Sequence, residues 1–102
     1  MKVARFLVTY HGSGMPEDPE LMEQAKAAFL SWVSATGDAL VDPGAPLRMV
    51  KQVASATPTN PVEIGGYSII EAASADAAVS LLETHPYVAR GGTLQVNEVL
   101  EV

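Results

Sequence analysis

The feature that most constrains this chain is the order in which its hydrophobic period changes. Residues 2–10 are rich in Val, Phe, Leu and Tyr and stop at His11-Gly12-Ser13-Gly14, the pattern of a short strand running into a turn. Beyond it the larger apolar side chains fall at Leu21, Met22, Ala25, Ala28, Phe29, Trp32 and Val33, the three-and-four spacing of one helical face. Asp18 is placed to cap that helix, Pro19 to take its first position, and Gly37 to end it in a left-handed conformation. Residues 39–47 return to an extended pattern, but Pro43, Gly44 and Pro46 make them either an edge strand or a strand with a bulge at Asp42-Pro43-Gly44, the edge strand being the simpler reading. A short extended piece at 49–53 and a loop over 54–64 lead to a third strand at 66–72. Ser74 caps a second helix whose Ala75, Ala78, Val79 and Leu82 share a face, and His85-Pro86 stops it. Residues 93–100 alternate as a fourth strand.

The order is βαββαβ, an α+β arrangement, and the 102 residues make one domain over 1–102. With 48% apolar and 18% charged residues, the chain is too hydrophobic to stay unfolded. Two helices cover only one face of a four-stranded sheet. On the last strand Leu94, Val96 and Leu100 point one way, and Thr93, Gln95, Asn97 and Val99 the other. The second face is mixed and retains apolar parts, so a partner sheet, and hence a homodimer, is expected to cover it.

Twelve acidic against 6 basic residues give a net charge of −6, which opposes nucleic-acid binding. There is no Cys, which removes disulfides, thiolate nucleophiles and Cys-ligated zinc. The apolar run near the N-terminus is too short for a signal peptide or a membrane span, so a cytoplasmic protein without membrane contact is expected. Trp32, Phe29 and Met22 at helical spacing read as core, and Glu98 and Glu101 as a solvated strand edge.

Three segments carry a family resemblance: Gly37-Asp38-Ala39-Leu40-Val41-Asp42-Pro43-Gly44-Ala45-Pro46-Leu47, Gly65-Gly66-Tyr67-Ser68-Ile69-Ile70-Glu71-Ala72 and His85-Pro86-Tyr87-Val88-Ala89-Arg90-Gly91-Gly92. In these the chain resembles the YCII-related family over nearly its whole length. The resemblance implies a ferredoxin-like four-stranded antiparallel sheet with two helices on one face, paired into a dimeric α+β barrel. It also implies an active-site His and Asp, the Asp within Asp-Pro-Tyr before the last strand and the His on the first helix. This sequence has His85-Pro86-Tyr87 at the acidic place and no His in the first helix, so that pair does not carry over. One branch of the family resembles a lyase that removes chloride from an aromatic ring.

In this topology the end of the first strand and the start of the fourth share one rim of the domain. The rim should therefore hold His11 and His85, the two imidazoles of the chain, together with Tyr67, Tyr87 and Arg90. One imidazole would act as a general base near neutral pH with the other as its partner, Arg90 would hold a carboxylate or phenolate, and Tyr87 would donate to a developing oxyanion. The plainer reading has His85 capping a helix C-terminus, where a cationic ring is favoured, and His11 sitting in a turn.

Two His with a carboxylate such as Glu17 make a weak metal motif, and none is assigned. Gly12-Ser13-Gly14 lacks the third glycine of a dinucleotide loop and meets Glu17, Asp18 and Glu20, so it reads as a connection, with a lid as the alternative. The expectation is a small cofactor-free domain, lyase-like if it is an enzyme, acting on a compact aromatic or oxo acid. The alternatives are a non-catalytic ligand-binding or protein-interaction module, and a haem-binding member of the wider barrel group resting on fold alone.

Overall fold

A computed structural model of the chain describes residues 3–12 and 16–101. Its elements are β1 (Ala4–His11), α1 (Pro19–Thr36), β2 (Leu40–Asp42), β3 (Ile64–Ala72), α2 (Ala75–Leu82), α3 (Pro86–Ala89) and β4 (Thr93–Glu98), with a single 3₁₀ turn at Gly37–Ala39. The strands form one antiparallel sheet in the order β2-β3-β1-β4, compatible with a ferredoxin-like arrangement.

Local chemistry sets the helix ends. Asp18 Oδ1 accepts from the amides of Glu20 at 2.9 Å and Leu21 at 3.3 Å, and Pro19 holds the first helical position. Gly37 closes α1 at φ 65°. Ser74 caps α2 through the amide of Ala77 at 3.1 Å. The chain forms a third helix that the sequence pattern does not announce, because four residues are too few to show a period. β2 is an edge strand with a register shift between Leu40 and Asp42, as Pro43 and Gly44 require, and Asp42 Oδ1 accepts from the Gly44 amide at 2.8 Å to close the turn. β4 ends at Glu98, so Val99 and Leu100 lie beyond it and are exposed.

The core lies between the sheet and the helices. β1 and β3 send Phe6, Val8, Ile70 and Ala72 to it, α1 sends Trp32, and α2 sends Ala78 and Leu82. Trp32 Nε1 donates to the Leu81 carbonyl at 3.2 Å, fastening α1 to α2. Leu94 and Val96 pack against the same cluster, the parity expected for β4. The opposite face is mixed: Leu7 pairs with Ile69, both half-buried, beside Thr9, His11, Glu71 and Asn97. Residues 47–63 are all exposed and carry no helix or strand, including the 49–53 piece expected to be extended. Leu47, Met49, Val50, Val53 and Val62 stand out along this arm. The radius of gyration is 14.9 Å, against about 13 Å for a compact chain of this length. No helix among the described residues is long and apolar enough to cross a membrane.

Candidate functional site

Residue parity along β1 builds the site. Phe6, Val8 and Tyr10 face the helices, so Tyr10 carries a phenol to the end of the core where β1 runs out. On β3 the same parity brings Ser68 between Gly66 and Ile70, a fully buried hydroxyl in an otherwise apolar row. His85, 1% exposed, comes in from the turn between α2 and α3. Its ring lies among three aromatic rings, with centroids 4.3 Å from Trp32, 5.8 Å from Phe29 and 5.1 Å from Tyr10.

These polar groups form one chain of hydrogen bonds. The Tyr87 amide donates to His85 Nδ1 at 3.0 Å, His85 Nε2 lies 2.8 Å from Tyr10 Oη, and Tyr10 Oη lies 2.8 Å from Ser68 Oγ. Ser68 Oγ donates to the Pro43 carbonyl at 2.8 Å. The two ends fix every proton between them. An amide can only donate, so Nδ1 is bare and the neutral ring carries its proton on Nε2, which donates to Tyr10. A carbonyl can only accept, so the single Ser68 proton is spent on Pro43 and Tyr10 must donate to Ser68.

Burial, and secondarily the positive charge of Arg90, lowers the His85 pKa from 6.5 to about 4. Burial also holds the Tyr10 phenol above its ordinary value of 10, against the Ser68 hydrogen bond and the Arg90 charge. His85 thus caps the N-terminus of α3 as a neutral ring. The expected C-terminal cap with a cationic ring is corrected: that imidazolium would set an N–H against the Tyr87 N–H.

Beside the chain opens a cavity of about 350 Å³ between α1, the 43–46 turn, the start of β3 and α3. Met22, Ala25, Phe29 and Pro86 give it apolar walls, Tyr10 and His85 line it within, and Lys26 and Arg90 also border it. Among the described residues no carboxylate lines it, although the chain has 12 acidic residues to 6 basic ones. Arg90 sits over the Tyr87 ring, 5.0 Å from its centroid. The Tyr87 ring is itself wedged against Gly92, where any side chain would overlap it, and its hydroxyl donates to the His11 carbonyl at 2.7 Å.

Four of the five residues anticipated for the rim, His85, Tyr67, Tyr87 and Arg90, border the cavity. His11 does not. It follows Tyr10 on the strand, so its ring projects from the other face, where Nε2 lies 3.0 Å from Thr9 Oγ1. The two imidazoles share a rim but are separated by the sheet, and only the His11 backbone joins the site. Tyr87 is not placed as an oxyanion donor, because its proton is held by His11 O; the Tyr67 hydroxyl likewise turns to Asp42 Oδ2 at 3.4 Å. With both ring nitrogens engaged, His85 offers no lone pair to a haem iron or a metal ion. Among the described residues no group of three or more His, Asp or Glu could hold a metal ion, and Glu17 is exposed. The lid reading of Gly12-Ser13-Gly14 rests on Ser13 and Gly14, which lie outside the described residues.

Sequence reasoning missed Tyr10, Ser68 and Lys26. Tyr10 and Ser68 were open to discovery, since each is a polar residue at a core-facing position of a strand and so needs a buried partner. No family model, curated protein or solved structure matches the chain. What fold and site define together is an α+β domain with one antiparallel sheet and a cation-bordered apolar cavity beneath its helices.

Proposed function

We propose that this chain is a YCII-like domain whose cavity binds a compact organic acid of aromatic or oxo type. The observation that carries the reading is the cavity's make-up: apolar walls, two cations and, among the described residues, no carboxylate in a strongly acidic chain. Its volume of about 350 Å³ lies near the lower end of small-molecule sites. The carboxylate sits at Arg90 and Lys26, where a guanidinium can bind it in two places at once, and the apolar body lies against Phe29, Met22 and Pro86.

Binding is favoured over lyase-like turnover by the ends of the hydrogen-bond chain. A proton relay must connect to a group that gains or loses a proton, and this one terminates on the Tyr87 amide and the Pro43 carbonyl. His85 is also a poor base near neutral pH, since its Nδ1 lone pair is taken by a buried amide. Titrating the protein with phenylacetate by calorimetry, with Arg90→Ala alongside, tests the reading. Saturable binding that weakens about tenfold in the variant supports it; equal heats of dilution in both refute it.

The homodimer belongs to the same proposal. A second copy would cover the outward sheet face around Leu7 and Ile69, in the manner of a dimeric α+β barrel, and the exposed apolar residues of the arm favour association. Sedimentation at micromolar concentration decides between a 10.7 kDa species and one of twice that mass.

A further inference from the structure

Resting on the acid-binding reading, the geometry points to one ligand class within it: we infer that the cavity selects an acid that carries, besides its carboxylate, a hydrogen-bond donor, O–H or N–H, for Tyr10 over one carrying an oxo group there. Three phenols border the cavity: the Tyr10 and Tyr87 protons are committed to Ser68 and the His11 carbonyl, and the Tyr67 hydroxyl turns to Asp42 Oδ2 at the longer distance of 3.4 Å. The His85 Nε2 proton is committed to Tyr10. Among the described side chains Arg90, Lys26 and the loosely held Tyr67 hydroxyl, beside Asp42, are then left to donate, and the two cations serve the carboxylate.

What Tyr10 adds to the cavity lining is acceptor capacity. Tyr10 Oη receives a hydrogen bond from His85 and gives its proton to Ser68, so any further polar contact it makes is as an acceptor. A ligand hydroxyl or N–H reaching it completes the oxygen. An oxo group there meets a lone pair instead of a proton, and gives up its hydration without replacement. The polarity is not adjustable, because reversing it would need a proton from the Pro43 carbonyl or a lone pair on the Tyr87 amide. Ser68 is therefore a specificity-determining residue although it is itself fully buried.

The test compares three probes with one carboxylate and one ring: 4-hydroxyphenylacetate, 4-formylphenylacetate and 4-methylphenylacetate, each titrated into the full chain. The hydroxyl probe should bind about 2- to 13-fold tighter than the formyl probe, the range one hydrogen bond supplies. In Ser68→Ala the Tyr10 proton is released from its partner and can turn to the ligand, so the gap should close or reverse. Tyr10→Phe should bind the hydroxyl and methyl probes alike, and serves if Ser68→Ala does not fold. Should the formyl probe bind the unaltered protein as well as the hydroxyl probe, the inference is overturned while acid binding stands. Should none of the three bind, both are overturned.

Discussion

The Tyr10 hydroxyl and His85 Nε2 lie 2.8 Å apart, and their rings meet edge to face at 85° although 75 positions separate them in the chain. This contact joins the end of β1 to the entry of α3. It also sets the protonation state of both groups, because each is satisfied only while the other keeps its present form. The stability and pH response of the domain should therefore be readable at this pair.

Tyr10→Phe removes the central oxygen and leaves the buried His85 Nε2–H without an acceptor. An orphaned buried donor costs about 1–3 kcal/mol, so the variant should unfold at lower urea concentration by that amount with an unchanged m-value. A loss under about 0.5 kcal/mol would mean that water replaces the phenol.

Acid should weaken the fold through His85. The ring titrates near 6.5 when unfolded and at about 4 when folded. Between these values the unfolded chain holds the extra proton, so stability is fully present above pH 6.5, falls as the pH drops, and is lost below 4. The contribution is on the order of 3 kcal/mol. Melting curves of the protein and of His85→Gln from pH 7 to 4 should converge at the acid end; parallel curves would place the proton elsewhere.

Arg90 should act on the ring as well as on the ligand, since its charge helps to hold the His85 pKa down. In Arg90→Ala the His85 pKa should rise, as followed by NMR of the ring protons, and it should stay low in Arg90→Lys. An unchanged titration would show that solvent screens the guanidinium from the ring.

Two glycines with similar φ angles should respond very differently to substitution. Gly44 has φ 80° and a Cβ there would overlap the Tyr67 carbonyl, while Gly91 has φ 94° with nothing within 4 Å. Gly91→Ala should cost about 1 kcal/mol for the backbone strain alone. Gly44→Ala should cost about 3 kcal/mol or more, because it also forces β3 from the turn that supplies the Pro43 carbonyl. Equal denaturation midpoints would show that the turn yields freely.

How much of this was legible beforehand depended on the kind of signal each element leaves. α1 announces itself because Asp18, Pro19 and Gly37 bracket a long periodic face, and β2 is marked as an edge by Pro43 and Gly44. α3 is too short to leave a period, and its presence turns His85 from the end of one helix into the cap of another. Topology puts the end of β1, with His11, near the α2–α3 turn that carries His85. It does not separate the two imidazoles, because the deciding fact is the parity of two adjacent residues, with Tyr10 facing in and His11 facing out. The partners of His85 come from β1, β3 and the 43–46 turn, contacts that depend on sheet register and that no local pattern encodes.

The exposed arm at residues 47–63 divides the molecule in a way that its sheet does not. A single backbone cut there would yield one fragment with β1, α1 and β2 and another with β3, α2, α3 and β4, and β1 lies between two strands of the other fragment. Tyr10 and Pro43 fall in the first fragment, Ser68 and His85 in the second. Each side-chain link of the buried chain, from His85 to Tyr10, Tyr10 to Ser68 and Ser68 to Pro43, then crosses the cut. The domain is built as two interlocking halves, and the cavity would reappear only when both are present, a natural basis for a split reporter whose signal is reassembly itself.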